Sequence, residues 1–285
     1  MGRVAAIQVS ASGDVERNRK KAVRYLDVAA ERGAALVCFP ELFSSPWFLA
    51  GDPAEAGALA ENLQGPLVST LAESCARLKV AAVCPFAERL PDGSIANSAA
   101  VIDAAGECLG VYRKMHLPEL PGWREKSAFA VSHSGFPVFD LGGLRVGVQL
   151  GWDNFFPEGF RSLAVAGAEV VVLPSAAAYA SQERWLAMAV SHAVANGMYV
   201  VRVNRVGSEA GLDFYGHTFA VRPDGELSAA PIELGEGLLL VDCDPAEVVA
   251  ARRTWPYLGD RRPDQYAAVA APVGGAGAAP ESPPA

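Results

Sequence analysis

The turn around Gly151 is the first place in this sequence where chemistry is expected. A hydrophobic strand over residues 145–150 runs into a sharp turn and then into a helix that begins near Pro157. Several hydrolase folds use this layout to lift a catalytic side chain into a pocket, beside free backbone N–H groups. Position 151 is nevertheless a glycine, so the turn offers no side chain that could attack a substrate.

Three charged residues elsewhere in the chain complete what looks like a reaction centre. Glu41 follows a buried strand and a proline, Lys114 ends a hairpin strand, and Glu125 lies in a charged loop. Taken singly, each has a more ordinary interpretation. Glu41 could be a helix cap or a surface acid, Lys114 a solvated strand end, and Glu125 a surface charge in a loop. Gly151 taken singly would be a turn glycine. Only the combination of these residues with the motifs around them predicts a site.

The candidate residues stand in a series of short motifs along the chain. These are Phe39-Pro40-Glu41, Tyr112-Arg113-Lys114-Met115-His116-Leu117-Pro118, Arg124-Glu125-Lys126, the segment 147–158, Asn204-Arg205-Val206-Gly207, Phe214-Tyr215-Gly216 and the segment 259–266. Through these motifs the chain, from its start to about Tyr266, resembles the nitrilase, or carbon–nitrogen hydrolase, superfamily. Within that superfamily it is most similar to N-carbamoylputrescine amidohydrolases and N-carbamoyl amino acid amidohydrolases.

The resemblance implies a role for each candidate residue. Glu41 matches the general base, Lys114 the lysine that stabilises the tetrahedral oxyanion, and Glu125 the second carboxylate that holds the lysine and the substrate. The backbone N–H of Trp152 matches the other oxyanion donor. A carboxylate must take the proton of the nucleophile and pass it to the leaving amine, and a cation must offset charge on the carbonyl oxygen. Gly151 stands where the family has its nucleophilic cysteine.

The missing cysteine excludes covalent catalysis from position 151. Loss of such a nucleophile typically lowers turnover by about a million-fold. The other thiols are not expected to substitute, because strand alternation turns Cys38 away from Glu41, Cys84 lies in another strand, and Cys108 lies at the far end of the Lys114 strand.

Three alternatives follow. The first is an amidohydrolase sequence whose nucleophile was replaced, to trap a substrate or to silence the enzyme. The second is a naturally inactive relative that keeps the pocket as a small-molecule sensor or serves as a partner subunit. The third is cysteine-independent chemistry that uses Glu41, Lys114 and Glu125.

Hydrophobic strands alternate with amphipathic helices along most of the chain, which predicts an α/β fold with sheets covered by helices. The resemblance implies a four-layer αββα sandwich of two mixed sheets with helices on the outer faces. We expect a single domain over residues 1–266 and a disordered tail, rich in Ala, Pro and Gly, over residues 267–285. The strands are predicted over 4–9, 35–39, 80–84, 98–103, 108–112, 145–150, 169–173, 199–204, 215–222 and 237–242, and the helices over 15–32, 67–78, 157–167, 182–196 and from Asp244 onward.

Composition narrows the choice of partners. The net charge of −8 argues against nucleic acid and anionic membranes, and no apolar run is long enough to span a bilayer. The first residues read as a buried strand, so we expect a cytoplasmic protein. Five scattered cysteines and four histidines without ligand spacing predict no metal, and no cofactor is implied. The expected partner is a small amide or N-carbamoyl compound, and the resemblance implies a homodimer or a higher homo-oligomer.

Overall fold

The structure is a computed structural model, and it describes residues 1–178 and 181–272. In chain order its first half contains β1 (Gly2–Gln8), α1 (Val15–Glu31), β2 (Leu36–Cys38), α2 (Glu55–Leu59), α3 (Pro66–Leu78), β3 (Ala81–Arg89), β4 (Ile95–Ile102), β5 (Cys108–Arg113), β6 (Glu119–Leu120), β7 (Trp123–Arg124) and α4 (Glu125–Ala128). The second half contains β8 (Val138–Leu141), β9 (Leu144–Val148), α5 (Pro157–Val165), β10 (Val170–Ser175), α6 (Gln182–Asn196), β11 (Tyr199–Asn204), β12 (Val206–Glu209), β13 (Leu212–Tyr215), β14 (Phe219–Val221), β15 (Gly237–Cys243) and α7 (Pro245–Thr254). Short 3-10 turns cover Gly151–Phe155, Pro263–Gln265 and Ala267–Ala270.

Two mixed sheets form the centre of the molecule. The first has the strand order β15-β1-β2-β3-β4-β5, in which β1, β2 and β3 run parallel and the other neighbours run antiparallel. The second has the order β14-β11-β10-β9-β8, in which β9, β10 and β11 run parallel. The α/β prediction is therefore confirmed, and so are the two mixed sheets that the resemblance implies.

Side-chain alternation along the strands gives each sheet one face toward the other sheet and one face toward helices. Between the sheets, Val4 and Val83 of the first sheet pack with Val148 and Val172 of the second. Residues of α1 and α3 cover the outer face of the first sheet, and residues of α5 and α6 cover that of the second. The observed architecture is therefore the four-layer αββα sandwich that the resemblance implies.

One predicted strand is wrong. Residues 215–222 do not form a continuous strand, because β13 and β14 belong to different sheets. Gly216 and His217, which separate them, have φ angles of +66° and +58°. This left-handed conformation interrupts a strand. A Cβ atom at residue 216 would also lie 2.4 Å from Nε2 of Gln8, so the close approach of the first sheet requires glycine there.

The C-terminal region is only partly described. The first residues of the predicted tail, Ala267–Ala270, form a 3-10 turn. The last part of that tail, residues 273–285, lies outside the described residues. The single domain over 1–266 stays a prediction. Within the described part of the chain, no helix is long and apolar enough to cross a membrane.

Candidate active site

The ends of strands from both sheets bring the predicted residues together. Glu41 is the third residue after β2, Lys114 directly follows β5, and Glu125 begins α4. Gly151 is the third residue after β9, in the second sheet, and Trp152 follows it. All five residues line one cavity of about 520 Å³. The cavity therefore lies at the edge where the two sheets meet, and the predicted site residues converge there.

Lys114 lies between the two carboxylates and pairs with both. Its Nζ atom donates to Oε1 of Glu41 at 2.8 Å and to Oε1 of Glu125 at 2.6 Å. The three side chains are 1–3% exposed. Buried charges are tolerated only when they are paired and hydrogen-bonded, and this cluster satisfies that condition. The surface interpretations of Glu41, Lys114 and Glu125 do not hold.

Burial and pairing shift the protonation of this cluster. Burial alone would lower the pKa of Lys114, but the charges of Glu125, Glu41 and Asp153 outweigh it and raise that pKa above its usual value. Burial raises the pKa of Glu125 to about 7; Lys114 opposes this shift and Glu41 adds to it. The lysine therefore stays charged, whereas Glu125 changes its protonation near neutral pH.

Asn97, which the sequence reasoning missed, belongs to the same cluster. Its Nδ2 atom donates to Oε1 of Glu41 at 2.8 Å and to Oε2 of Glu125 at 3.3 Å. Its backbone oxygen accepts from the backbone N–H of Lys114 at 2.8 Å. Asn97 therefore bridges the two carboxylates, as Lys114 does. The available signal was the polar pair Asn97-Ser98 inside an otherwise apolar strand.

Gly151 adopts a conformation that side chains rarely adopt. Its φ angle is +44°, in the left-handed region. A Cβ atom built on it would lie 2.3 Å from Oε2 of Glu41. The carboxylate of Glu41 thus occupies the space that the first atom of a side chain at position 151 would need.

Asp153 fixes the position of the turn relative to Lys114. Its Oδ2 atom accepts from Tyr112 Oη at 2.7 Å and from the backbone N–H of Leu150 at 2.9 Å. Its Oδ1 atom accepts from the backbone N–H of His116 at 3.0 Å and lies 2.8 Å from the Nδ1 atom of that ring. Fully buried, Asp153 therefore ties the residues on both sides of Lys114 to the residues on both sides of Gly151.

Arg205 fixes the loop that carries Glu41. Its guanidinium donates to the backbone oxygens of Leu42 at 2.9 Å and Ser45 at 3.0 Å. The same group pairs with Glu209 at 2.8 Å. Arg205 follows β11 of the second sheet, whereas the loop follows β2 of the first, so this buried cation joins the two sheets beside the cavity.

The site has groups that can bind and polarise a carbonyl compound, but it lacks a nucleophile. A carbonyl oxygen can accept a hydrogen bond from Lys114, and Glu41 can accept a proton. None of the five cysteines lines the cavity; Cys38 and Cys84 are buried elsewhere, and Cys108 is exposed. Burial raises the pKa of the buried Cys38 and Cys84 thiols further, which leaves them unreactive.

No group of three or more potential metal-ligating side chains occurs among the residues that the structure describes. The charged cluster at the inner end of the cavity is made of one ammonium and two carboxylates. Each of these groups already has a partner within the cluster.

Comparisons with known proteins point to a single family. The family described as carbon-nitrogen hydrolase matches residues 3–253. An N-carbamoylputrescine amidase from Solanum lycopersicum is 34% identical over 279 residues, which cover 92% of this chain and 93% of that protein. A citrullinase from Francisella tularensis subsp. tularensis is 33% identical over 277 residues, which cover 93% of this chain and 96% of that protein.

Solved structures of similar sequence have the same fold. A carbon-nitrogen hydrolase from Helicobacter pylori G27 has a TM-score of 0.89 at 28% identity, covering 93% of this chain and 97% of that chain. A mutant of the amidase from Nesterenkonia sp. AN1, in complex with butyramide, has a TM-score of 0.79 at 30% identity, covering 92% and 95%. On the match over residues 3–253, this chain belongs to the carbon–nitrogen hydrolase family.

Proposed function

We propose that this chain binds a small amide or N-carbamoyl compound beside Glu41, Lys114 and Glu125, and that it hydrolyses such a compound at most very slowly. The observation that carries the proposal is Gly151. It lines the same cavity as the charged cluster, at a strand-to-turn junction, yet it offers no attacking atom. The cluster is therefore suited to hold a carbonyl group, and the step that would open its C–N bond lacks a nucleophile.

Several observations support this class of ligand. The cavity volume of about 520 Å³ lies in the range of small-molecule sites. Relatives are named for N-carbamoylputrescine and citrulline, and a structural neighbour was solved with butyramide. In the bound state, Lys114 and the backbone N–H of Trp152 would donate to the carbonyl oxygen, and the carboxylates would accept from the ligand's N–H groups. Any residual hydrolysis would require Glu41 to deprotonate a water that attacks the carbonyl carbon.

A second candidate function is binding without any turnover, as a sensor or a non-catalytic subunit. The observation that favours it is the position of Glu41, whose Oε2 atom lies 2.3 Å from the place of a Cβ atom at Gly151. The carboxylate therefore fills the space of a nucleophilic side chain at position 151, whereas the cavity beside it stays open to a ligand. Such a site suits binding without turnover.

The activity arm of the test compares the wild-type protein with Gly151→Cys and Gly151→Ala. Both variants add a Cβ atom in the same strained backbone, but only the cysteine adds a nucleophile. Hydrolysis of butyramide, citrulline or N-carbamoylputrescine releases ammonia, which is measured directly. We expect ammonia release, abolished by iodoacetamide, from Gly151→Cys alone. Wild-type turnover comparable to that of Gly151→Cys would contradict the proposal.

The binding arm uses the thermal unfolding of the wild-type protein. A ligand that binds only the folded state stabilises it by about 2.7 kcal/mol at a concentration of 100 times its Kd. We expect at least one of the same amides or ureido compounds to raise the Tm, and Lys114→Met to remove that increase. If no member of the panel raises the Tm and none is hydrolysed, the proposed ligand class is contradicted.

A further inference from the structure

The cavity has a second charged position, far from the inner cluster in the chain. Arg184, in the first turn of α6, lines the same cavity as Glu41, Lys114 and Glu125. It also lines a second, outer cavity of about 680 Å³, together with Glu183 and other residues of the same turn. Because Arg184 is shared by both cavities and is exposed, it stands at the mouth of the inner one.

The charge of Arg184 is not neutralised by the described part of the protein. No ion pair joins it to a described carboxylate, and its neighbour Glu183 lines only the outer cavity. At the inner end, by contrast, the charge of Lys114 is matched by two carboxylates. A ligand that spans the cavity therefore meets paired charges at one end and an unmatched cation at the other.

The helix itself gives no reason for an arginine at this position. The N-terminal turn of a helix carries the positive end of its dipole, where a cation is unfavourable and an anion is favourable. Ser181 does not cap α6, because its Oγ atom donates to the backbone oxygen of Ala178 at 3.3 Å and accepts from Trp185 Nε1 at 3.0 Å. An anion at the mouth would interact favourably with both the guanidinium and the helix end.

The wall between the two ends of the cavity is apolar. Trp123, Phe155 and Trp185 line it. The indole N–H of Trp123 donates to the backbone oxygen of Ala176 at 3.0 Å, and that of Trp185 donates to Ser181. Since both N–H groups are used within the protein, the rings offer the ligand mainly apolar surface. The middle of a matching ligand is therefore a short hydrocarbon chain.

We propose that the cavity selects amides or ureido compounds whose far end is a carboxylate, and that Arg184 sets this preference. The proposal rests on the proposed function, because the amide end of the same ligand occupies the cluster around Lys114. It extends that function because it predicts that the cavity binds anionic ligands more tightly than cationic ones such as aminoalkyl ureas. Arg184 would repel an ammonium at the mouth and attract a carboxylate there.

Three ureas that share one carbon chain test the preference: 5-ureidopentanoate, the neutral pentylurea, and 4-aminobutylurea. Their Kd values for the full-length wild-type protein are measured by calorimetry at low salt. We expect the carboxylate to bind about three- to thirtyfold more tightly than pentylurea, as one charge-assisted contact allows, and the ammonium to bind more weakly than pentylurea. Added salt should reduce the difference, because the mouth is exposed.

Variants of Arg184 test whether this residue causes the preference for a carboxylate. Arg184→Gln should bring the affinity for 5-ureidopentanoate close to that for pentylurea, and Arg184→Glu should reverse the order of the charged ligands. Arg24→Gln, which removes an exposed arginine of α1 outside the cavity, should change none of the three Kd values. Equal affinities of the wild type for the three ureas, or an unchanged order in Arg184→Glu, would overturn this inference alone. Failure of all three ureas to bind would instead contradict the proposed function.

Discussion

Gly151 combines two features that make any side chain unfavourable at its position. Its φ angle of +44° disfavours residues that have a Cβ atom, and such an atom would lie 2.3 Å from Oε2 of Glu41. The backbone strain alone costs about 1–2 kcal/mol. We expect Gly151→Ala to lower the free energy of unfolding by about 1–3 kcal/mol, the rest arising from displacement of the carboxylate. Urea unfolding of the variant measures this loss.

Two other glycines separate the backbone contribution from the contact with Glu41. Gly93 also has a positive φ angle, of +86°, but no atom lies within 4 Å of its added Cβ. Gly13 has neither a left-handed φ nor such a neighbour. The losses should therefore increase from Gly13→Ala through Gly93→Ala to Gly151→Ala. An equal effect of the last two would show that the contact with Glu41 contributes nothing.

The raised pKa of Glu125 makes the free energy of unfolding depend on pH. Its pKa is raised from 4.5 to about 7 by burial, so the folded protein binds a proton that the unfolded chain releases between these values. The free energy of unfolding should therefore fall as the pH rises from about 4.5 to about 7. Glu125→Gln removes this titration and should flatten the slope, whereas Glu73→Gln, at an exposed carboxylate, should not. Equal slopes in the wild type and Glu125→Gln, measured by urea unfolding, would contradict the assignment.

At the scale of elements, the site depends on how the end of β5 meets the turn after β9. Asp153 makes this connection through Tyr112, His116 and Leu150. Asp153→Asn replaces one of its two accepting oxygens with a donor, which leaves buried N–H or O–H groups unsatisfied. We expect it to lower the free energy of unfolding by about 2–4 kcal/mol and to weaken ligand binding.

Tyr112→Phe is the control for this connection. It removes one hydroxyl and leaves the carboxylate of Asp153 with its other donors, so the expected loss is about 1–2 kcal/mol. Chemical denaturation and the Kd of butyramide are measured for both variants. If Asp153→Asn were no more harmful than Tyr112→Phe, the carboxylate would not hold the two elements together.

Local sequence patterns predict elements better than they predict what the elements bring together. Hydrophobic spacing predicts a helix over 182–196 and a strand over 199–204, and both are confirmed. The same spacing does not show that Arg184 reaches the cavity mouth, because this depends on how α6 packs on its sheet. Asn97 was missed for a similar reason: its role depends on β4 lying beside β5. The resemblance supplied what spacing could not, namely the convergence of Glu41 and Lys114.

At the scale of the whole molecule, the cavity lies at the edge where the two sheets meet, so the arrangement of the sheets is part of the site. Glu41 and Lys114 follow strands of the first sheet, and Gly151 and Ala176 follow strands of the second. A shift of one sheet against the other would therefore separate the carboxylate from the turn. The inter-sheet core resists such a shift through apolar packing, and Arg205 resists it through hydrogen bonds at the edge.

Arg205 allows this inter-sheet contact to be tested. Arg205→Met leaves Glu209 without its cation and the loop oxygens without their donor, so we expect a loss of about 3–5 kcal/mol, as for other broken buried pairs. The double variant Arg205→Met with Glu209→Gln removes the unpaired charge and should recover part of that loss. Because the loop also positions Glu41, both variants should bind butyramide more weakly than the wild type, even where they remain folded. Wild-type affinity in the folded double variant would mean that the inner core alone holds the two halves of the site in place.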